Sequence, residues 1–470
     1  MSWKLSMSPF GAQSTAVNKA LSQRGWAHFL EQGLGKTAVI FNEWLLYRDQ
    51  GEIDALVVIA PNSLLGNWKA EAEKFGITDE VVVWNSGRGK SIASEVEKFL
   101  RTDAPIIFVV NYEAVPSSGG KVIEAILAKR RVMMVADESI SLKNPNGQRS
   151  KEIRELAKSA RMVRALSGAP VSQGVHDLWA QLRFVGHLEG TNFYSFRNRY
   201  CVMGGFKGKQ VIRPRTDTAD ELTHLLSKCS FRAEKKDWTD IPDKLYTTRN
   251  ISMPPAQRKA YESMADDFVV LLESSDVSAD LVITKLMKLQ QISTGFVMDA
   301  NDETHWLVSD DENPKLQMLK EVMEETNNKV IVFTFHRAAV DLLRRTLPAD
   351  ETAYLVGEMT REQIEAEKAR FNLANGVKTM VCQINAAMYG HTLLGTADRP
   401  CHTTVFFENN YSLNARVQAE DRNHRHGQKN NVLYVDLITS KMDEMVIEAL
   451  KGKQSVATAV MEKLKKGKSK

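Results

Sequence analysis

Short apolar runs rich in β-branched residues alternate along this chain with longer amphipathic stretches. The runs fall at 55–60, 106–110 and 132–136 in the first half, and at 330–335, 379–382, 403–407 and 432–437 in the second. A half-exposed strand would alternate apolar and polar positions. Runs this continuous predict strands buried on both faces, and hence parallel sheets covered by helices. Strands alternating with helices predict an α/β fold. Between the two groups lies a more polar, helical region, about 190–313. It contains Gly204, Gly205, Gly208 and Pro214, followed by helical patterns at 256–274 and 277–291. The pattern predicts two α/β lobes, with this region divided between extensions and a linker.

With 470 residues, 43% of them hydrophobic and 26% charged, the chain has material for two or three domains. A net charge of +4 does not by itself announce a nucleic-acid partner. The excess is uneven, because five of the last eight residues, 463–470, are lysines, and that tail reads as a solvated end. Cys201, Cys229, Cys382 and Cys401 show neither a CxxC pair nor zinc spacing and read as free thiols in a reducing compartment. No apolar run approaches the ~18 residues that span a membrane. The first ten residues lack the apolar core of a signal peptide. These features predict an intracellular, cytoplasmic protein with no membrane partner.

The chemistry begins at Phe29-Leu30-Glu31-Gln32-Gly33-Leu34-Gly35-Lys36-Thr37, between a short apolar run and a helical pattern. A strand, a Gly-rich turn and a Lys-Thr helix start together make a phosphate cradle. Gly33 and Gly35 let backbone N–H groups curl around a phosphate, and the helix N-terminus adds its dipole. Lys36 reaches the β/γ-phosphates, and the Thr37 hydroxyl holds Mg²⁺. The general pattern has glycine where this chain has Leu30. The apolar run 132–136 ends in Asp137-Glu138, 101 residues after Lys36. Carboxylates at the end of a buried strand are costly unless they serve something. Beside a phosphate loop, Asp137 is expected to hold Mg²⁺ and Glu138 to activate water.

From about Pro9 to about Leu450 the chain resembles the Swi/Snf-type ATPases of helicase superfamily two. The resemblance runs in order through Pro9, Phe10 and Gln13, the loop ending in Lys36-Thr37, Ala60-Pro61-Asn62-Ser63-Leu64-Leu65-Gly66-Asn67-Trp68 with Glu71, and Asn111-Tyr112-Glu113. It continues through Asp137-Glu138-Ser139-Ile140 with Leu142-Lys143-Asn144-Pro145, Ser167-Gly168-Ala169-Pro170, and Asp177-Leu178-Trp179. In the second half it runs through Ile241-Pro242-Asp243-Lys244, Gln257, Tyr261 and the 330–335 run. Its most specific part is Gln418-Ala419-Glu420-Asp421-Arg422-Asn423-His424-Arg425-His426-Gly427-Gln428. Ser139 and Ile140 replace the alanine and histidine of the family's D-E-A-H. That histidine couples hydrolysis to the rest of the machine, so the coupling route here is open. The glycine-rich fifth motif, about 386–393, is poorly kept.

The resemblance implies two tandem RecA-like lobes: an ATP-binding lobe at 1–235 with a helical extension near its end, a linker and helical extension at 236–312, a C-terminal lobe at 313–455, and a basic tail at 456–470. It implies that Phe10 and Gln13 read adenine. Gln418, Arg422 and Arg425 are implied to serve hydrolysis, with Arg422 and Arg425 sharing one face if their segment is helical. Ser63, Asn67, Asn111, Tyr112, Lys143, Thr334 and His336 are the implied donors to a nucleic-acid backbone. The expected function is an ATPase using ATP and Mg²⁺ that translocates on double-stranded DNA through opening and closing of the lobes. The alternatives are a strand-separating helicase and a nucleic-acid-binding scaffold with weak ATPase. The compact build fits a bacterial or phage source.

Overall fold

A computed structural model describes residues 3–5, 7–85, 89–172, 174–204, 210–238, 241–273, 279–299, 301–387, 392–425 and 427–451. The lysine tail, Met388–His391 of the fifth motif, His426, Gly205 and Gly208 lie outside the described residues. The chain folds as two compact units, Met1–Asp240 and Ile241–Lys470.

The first unit is built on β1 (Gly25–Leu30), β2 (Ala55–Ala60), β3 (Glu80–Val83), β4 (Ile106–Asn111), β5 (Val132–Ala136), β6 (Met162–Leu166) and β9 (Ser230–Ala233), while β7 (Cys201–Gly204) and β8 (Gln210–Pro214) form a separate antiparallel hairpin. The sheet order is β3-β4-β2-β5-β6-β1-β9, with every neighbouring pair parallel. Strand β2 shows why its sequence is continuously apolar. Ala55, Val57 and Ile59 pack into one core, while Leu56, Val58 and Ala60 pack into another on the opposite face. Each Val, Leu or Ile so buried stabilises by roughly 1.5–3 kcal/mol.

The second unit repeats the plan with β10 (Lys244–Asn250), β13 (Lys329–Thr334), β14 (Thr352–Leu355), β15 (Thr379–Gln383), β16 (Cys401–Phe406) and β17 (Val432–Ile438), beside a small hairpin of β11 (Phe296–Met298) and β12 (Thr304–Trp306). Its order is β10-β17-β16-β13-β15-β14, again all parallel. Ile331 and Phe333 face one core, and Val330 and Val332 the other. Both sheets are therefore the doubly covered α/β type expected, and each is a RecA-like lobe.

Region 236–312 does more than link. It supplies β10, an edge strand whose polar sequence KLYTTRN carries no apolar run. An edge strand pairs on one side only and tolerates polar residues. Here Lys244 is held by Glu420 and Asp421 at 3.0 and 3.4 Å, and Tyr246 stacks on Tyr434 at 5.3 Å. Helices Pro255–Glu273 and Ala279–Thr294 follow, and Leu286 and Leu289 of the second pack with Met442, Val446 and Leu450 of the terminal helix.

One buried ionic group ties the phosphate-loop elements together. Glu43, on the helix after the loop, accepts from His28 Nε2 of β1 at 2.7 Å and from Arg164 Nε of β6 at 2.6 Å, and all three side chains are fully buried. Arg164 also donates to the carbonyls of Gln23, Arg24 and Val163. Burial alone would raise the Glu43 pKa, but the Arg164 and His28 charges and hydrogen bonds outweigh it and hold the carboxyl below 4.5. A depressed carboxyl stabilises the fold fully above its unfolded pKa and loses that contribution as pH falls through the lowered value. Glu43→Gln, which leaves Arg164 buried without its counter-charge, is expected to cost about 3–5 kcal/mol in urea unfolding at neutral pH. The parent should lose that advantage only below pH ~4.5. A loss under ~0.5 kcal/mol, the size of a neutral surface change, would show that the three groups do not act as a unit.

Candidate functional site

Because the strands of the first sheet are parallel, their C-terminal ends share one edge, which is where open α/β sheets bind ligands. The turns at that edge carry the predicted residues. After β1 the chain turns through Gly33 and Gly35, with φ of 86° and 73°, a region glycine enters without penalty. Helix Lys36–Asp49 then starts with Lys36 and Thr37 in its first turn. Leu30 is fully buried as the last residue of β1, which accounts for the departure from glycine there.

Gln13, 1% exposed, donates from Nε2 to the Leu34 carbonyl at 3.2 Å and accepts at Oε1 from the Phe10 N–H at 3.0 Å. Its amide fills the space over Gly35. A Cβ on residue 35 would lie 2.1 Å from Gln13 Nε2. Leu34 is buried, so it contributes to the loop through its backbone. Lys36 Nζ donates to the Leu30 carbonyl at 3.1 Å, and a Cβ on Gly168 would lie 3.3 Å from the same ammonium. The Ser167–Pro170 turn thus approaches the loop through a residue without a side chain.

The carboxylates stand after β5. Asp137 accepts from Trp68 Nε1 and from the Glu138 N–H, both at 3.0 Å. Burial raises its pKa, while the Lys36 charge and these two hydrogen bonds pull it down. Lys36 and Asp137 therefore lie close enough to act on each other. Glu138 is left-handed, with φ 49° and ψ 55°, which costs about 1–2 kcal/mol for a residue with a Cβ. Thr37, Lys36, Asp137 and Glu138 thus share the edge where a magnesium nucleotide would need a hydroxyl, a cation and two carboxylates. The donor set fits that group.

The altered D-E-S-I segment makes a new connection. Ser139 Oγ donates to Gln181 Oε1 at 2.8 Å, and Gln181 Nε2 donates to the Pro170 and Asp177 carbonyls at 2.7 and 3.0 Å. The carboxylate segment and the Ser167–Pro170 turn are therefore joined through side chains that are fully buried.

The nucleic-acid candidates divide. Ser63 is exposed, and Asn67, Asn111 and Lys143 are half-buried, all at the same sheet edge. Asn111 donates to Glu113 at 3.1 Å and Lys143 to Ser172 Oγ at 3.1 Å. Tyr112 leaves this group. It is 1% exposed, and its hydroxyl donates to the Asp137 carbonyl at 2.8 Å, so it supports the carboxylates instead. In the second unit Thr334 is 0% exposed, and its hydroxyl is enclosed away from any phosphate. His336 is buried and pairs with Glu408 at 3.0 Å, so it too is committed within the fold.

Helix Leu413–Glu420 carries Gln418, which is buried, but the chain leaves the helix before Arg422. Arg422 and Arg425 therefore stand in a turn and not on one helical face. Arg422 is buried, with Nε on the Gln418 carbonyl at 2.7 Å, and Arg425 is half-buried.

Sequence reasoning assigned no role to Trp68, Gln181 or Glu408. Trp68 lay inside a quoted motif, and Gln181 has no signal beyond a polar residue on an apolar helix. Glu408 follows a buried run just as Asp137 does. It accepts from the N–H groups of Phe335 and His336, from His336 Nδ1 and from Thr294 Oγ1, at 2.8–3.0 Å. Burial would raise its pKa, but His336 and Lys315 lower it to about 2.

The parallel sheet, the left-handed glycine loop and the paired carboxylates define the P-loop class of α/β protein. A model of the SNF2-related domain matches residues 23–295, and the chain belongs to that family. It is 26% identical over 435 residues to an uncharacterized ATP-dependent helicase of Mycoplasma genitalium, covering 91% of this chain and 39% of that protein. It is 23% identical to the putative protein p41 of Acyrthosiphon pisum secondary endosymbiont phage 1, covering 97% and 98% of the two chains. The Sulfolobus solfataricus SWI2/SNF2 ATPase core in complex with dsDNA is similar at a TM-score of 0.44 and 21% identity, covering 96% of this chain and 92% of that one. The chain thus spans about two fifths of the mycoplasma helicase and nearly all of the phage protein. No helix among the described residues is long and apolar enough to cross a membrane, and all four cysteines are free and buried.

Gly35→Ala tests the loop. The new methyl would meet the Gln13 amide in a φ that disfavours any Cβ. Binding of a fluorescent ATP analogue should weaken by at least about tenfold, some 1.4 kcal/mol, with the melting temperature nearly kept. Parental affinity would mean that the loop does not hold the phosphates.

Proposed function

We propose that this protein is a DNA-dependent ATP hydrolase that translocates on duplex DNA. The observation that carries the hydrolase reading is Lys36 beside Asp137 at the loop edge, with Glu138 next in the chain. Phe10 and Gln13 would meet the base, and the loop N–H groups and Lys36 the phosphates. Thr37 and Asp137 would hold Mg²⁺, which would neutralise phosphate charge. Glu138 would take the proton of the attacking water. Gln418, Arg422 and Arg425 would serve hydrolysis by stabilising charge as phosphate leaves. The name of the mycoplasma relative, an ATP-dependent helicase, and membership of the SNF2-related family support this reading. Ser63, Asn67, Asn111 and Lys143 would grip the phosphate backbone without reading bases, and each hydrolysis cycle would advance the protein along the duplex.

Steady-state ATPase with no nucleic acid, single strands, duplex and forks is the first test. Duplex should stimulate most, and strand displacement from a fork would favour an unwinding helicase instead. Lys36→Ala should abolish turnover, and Glu138→Gln should still bind ATP but hydrolyse it very slowly. Arg425→Ala should keep near-parental DNA binding and lose about 10³-fold or more in turnover. Arg425→Lys should not restore it, because an ammonium lacks the planar fork. Normal turnover with lost DNA binding in Arg425→Ala would make that residue a backbone contact.

A further inference from the structure

A basic strip adjoins the backbone candidates of the first unit. Residues 193–215 hold six Lys or Arg and no Asp or Glu, a charge of +6 in a chain whose net charge is +4. The described part is helix Phe193–Tyr200 and the β7–β8 hairpin. Phe196 and Tyr200 are buried under the helix, and Trp179 packs edge-on to Phe193 at 5.8 Å. Tyr194 and Ile212 are left 56% and 57% exposed, an outlay of apolar surface that the helix and hairpin themselves do not need.

The charges on this strip are of two kinds. Arg199 pairs with Glu221, and Arg215 with Asp217. Among the described residues, no carboxylate pairs with Arg197 or Arg213. Arg197 lies over the rings of Tyr194 and Phe193 at 5.3 and 5.9 Å and donates to the Asn198 side chain at 3.4 Å. Among the described residues its Nε is buried without a partner. Arg213 is exposed and donates to the Pro214 carbonyl at 3.3 Å.

The strip is continuous with Lys143. The His176 ring lies 6.2 Å from Phe193. Burial lowers the His176 pKa, Asp177 opposes that, and the charges of Arg197 and Lys143 lower it further, so both cations act on one imidazole. Gly174 approaches the hairpin, since a Cβ there would lie 3.6 Å from Val211. Asp177, the carboxylate in this strip, is 2% exposed and accepts from the N–H and hydroxyl of Ser172 at 2.8 and 3.1 Å.

We infer that Arg197 and Arg213, with Tyr194 between chain and solvent, form a second grip on the nucleic-acid backbone, extending the track that begins at Lys143. A guanidinium already ordered on aromatic rings loses less freedom when it takes a phosphate in its planar fork. An exposed ring beside it offers an apolar face to the sugars of the backbone. The inference rests on the proposed DNA dependence and deepens it.

The test is duplex binding by fluorescence anisotropy between 50 and 200 mM KCl, with the full chain carrying Arg197→Ala and Arg213→Ala. Each lost phosphate contact removes about 0.9 from the slope of log affinity against log salt, so the slope should fall by about 2, and by about 1 for Arg213→Ala alone. Arg101→Ala with Lys158→Ala removes the same charge from exposed ion pairs outside the strip and should keep the parental slope. An unchanged melting temperature checks the fold. A parental slope in the double variant overturns the second grip while leaving DNA dependence standing, and so does weaker binding at an unchanged slope. Capture of an acidic protein by the parent but not by the double variant, with duplex binding unaltered, would give the strip to a protein partner instead. A parent that binds no duplex overturns both readings.

Discussion

Parallel pairing of strands buried on both faces is the constraint from which the rest follows. Such strands have no solvent face on which to carry polar side chains, so working groups collect at the strand ends. In the first unit the phosphate loop, Asp137 and the Ser167–Pro170 turn all follow C-terminal strand ends and so share one edge. The exception inside the layers of that unit is the buried group His28–Glu43–Arg164, in which the Glu43 carboxylate accepts from the His28 ring on β1 and the Arg164 guanidinium on β6. It joins the strand before the loop to the helix after it, which holds the loop at both ends.

Two carboxylates at equivalent places in the two sheets show how surroundings decide role. Asp137 and Glu408 each follow a buried strand. Glu408 receives four hydrogen bonds and faces His336 and Lys315, and its pKa falls to about 2. Asp137 has Trp68 and one backbone N–H, with Lys36 nearby, and burial leaves its pKa raised. A fully satisfied carboxylate is a structural tie. One with fewer partners keeps the shift that burial imposes.

The replacement of alanine and histidine by Ser139 and Ile140 has a physical counterpart. Ser139 ties the segment after the carboxylates inward through Gln181 to the Pro170 and Asp177 carbonyls. Asp177 in turn holds Ser172, whose hydroxyl receives Lys143, a backbone candidate. A chain of contacts thus runs from the carboxylate segment to Lys143 within one unit.

By itself the sequence determined the two parallel sheets, the loop and the carboxylates, because these are written in local order: apolar runs without alternation, glycines at fixed spacing, and charges at the end of an apolar run. Strand β10 escaped because its residues are polar, and only its place at an edge makes it a strand. Spacing would put Arg422 and Arg425 on one face if their segment were helical, and the helix ends at Glu420. Tyr112, Thr334 and His336 read as outward donors by motif. Only the tertiary structure turned them inward, because whether a hydroxyl or imidazole meets solvent or a buried carbonyl or carboxylate depends on residues distant in the chain, such as Asp137 for Tyr112 and Glu408 for His336.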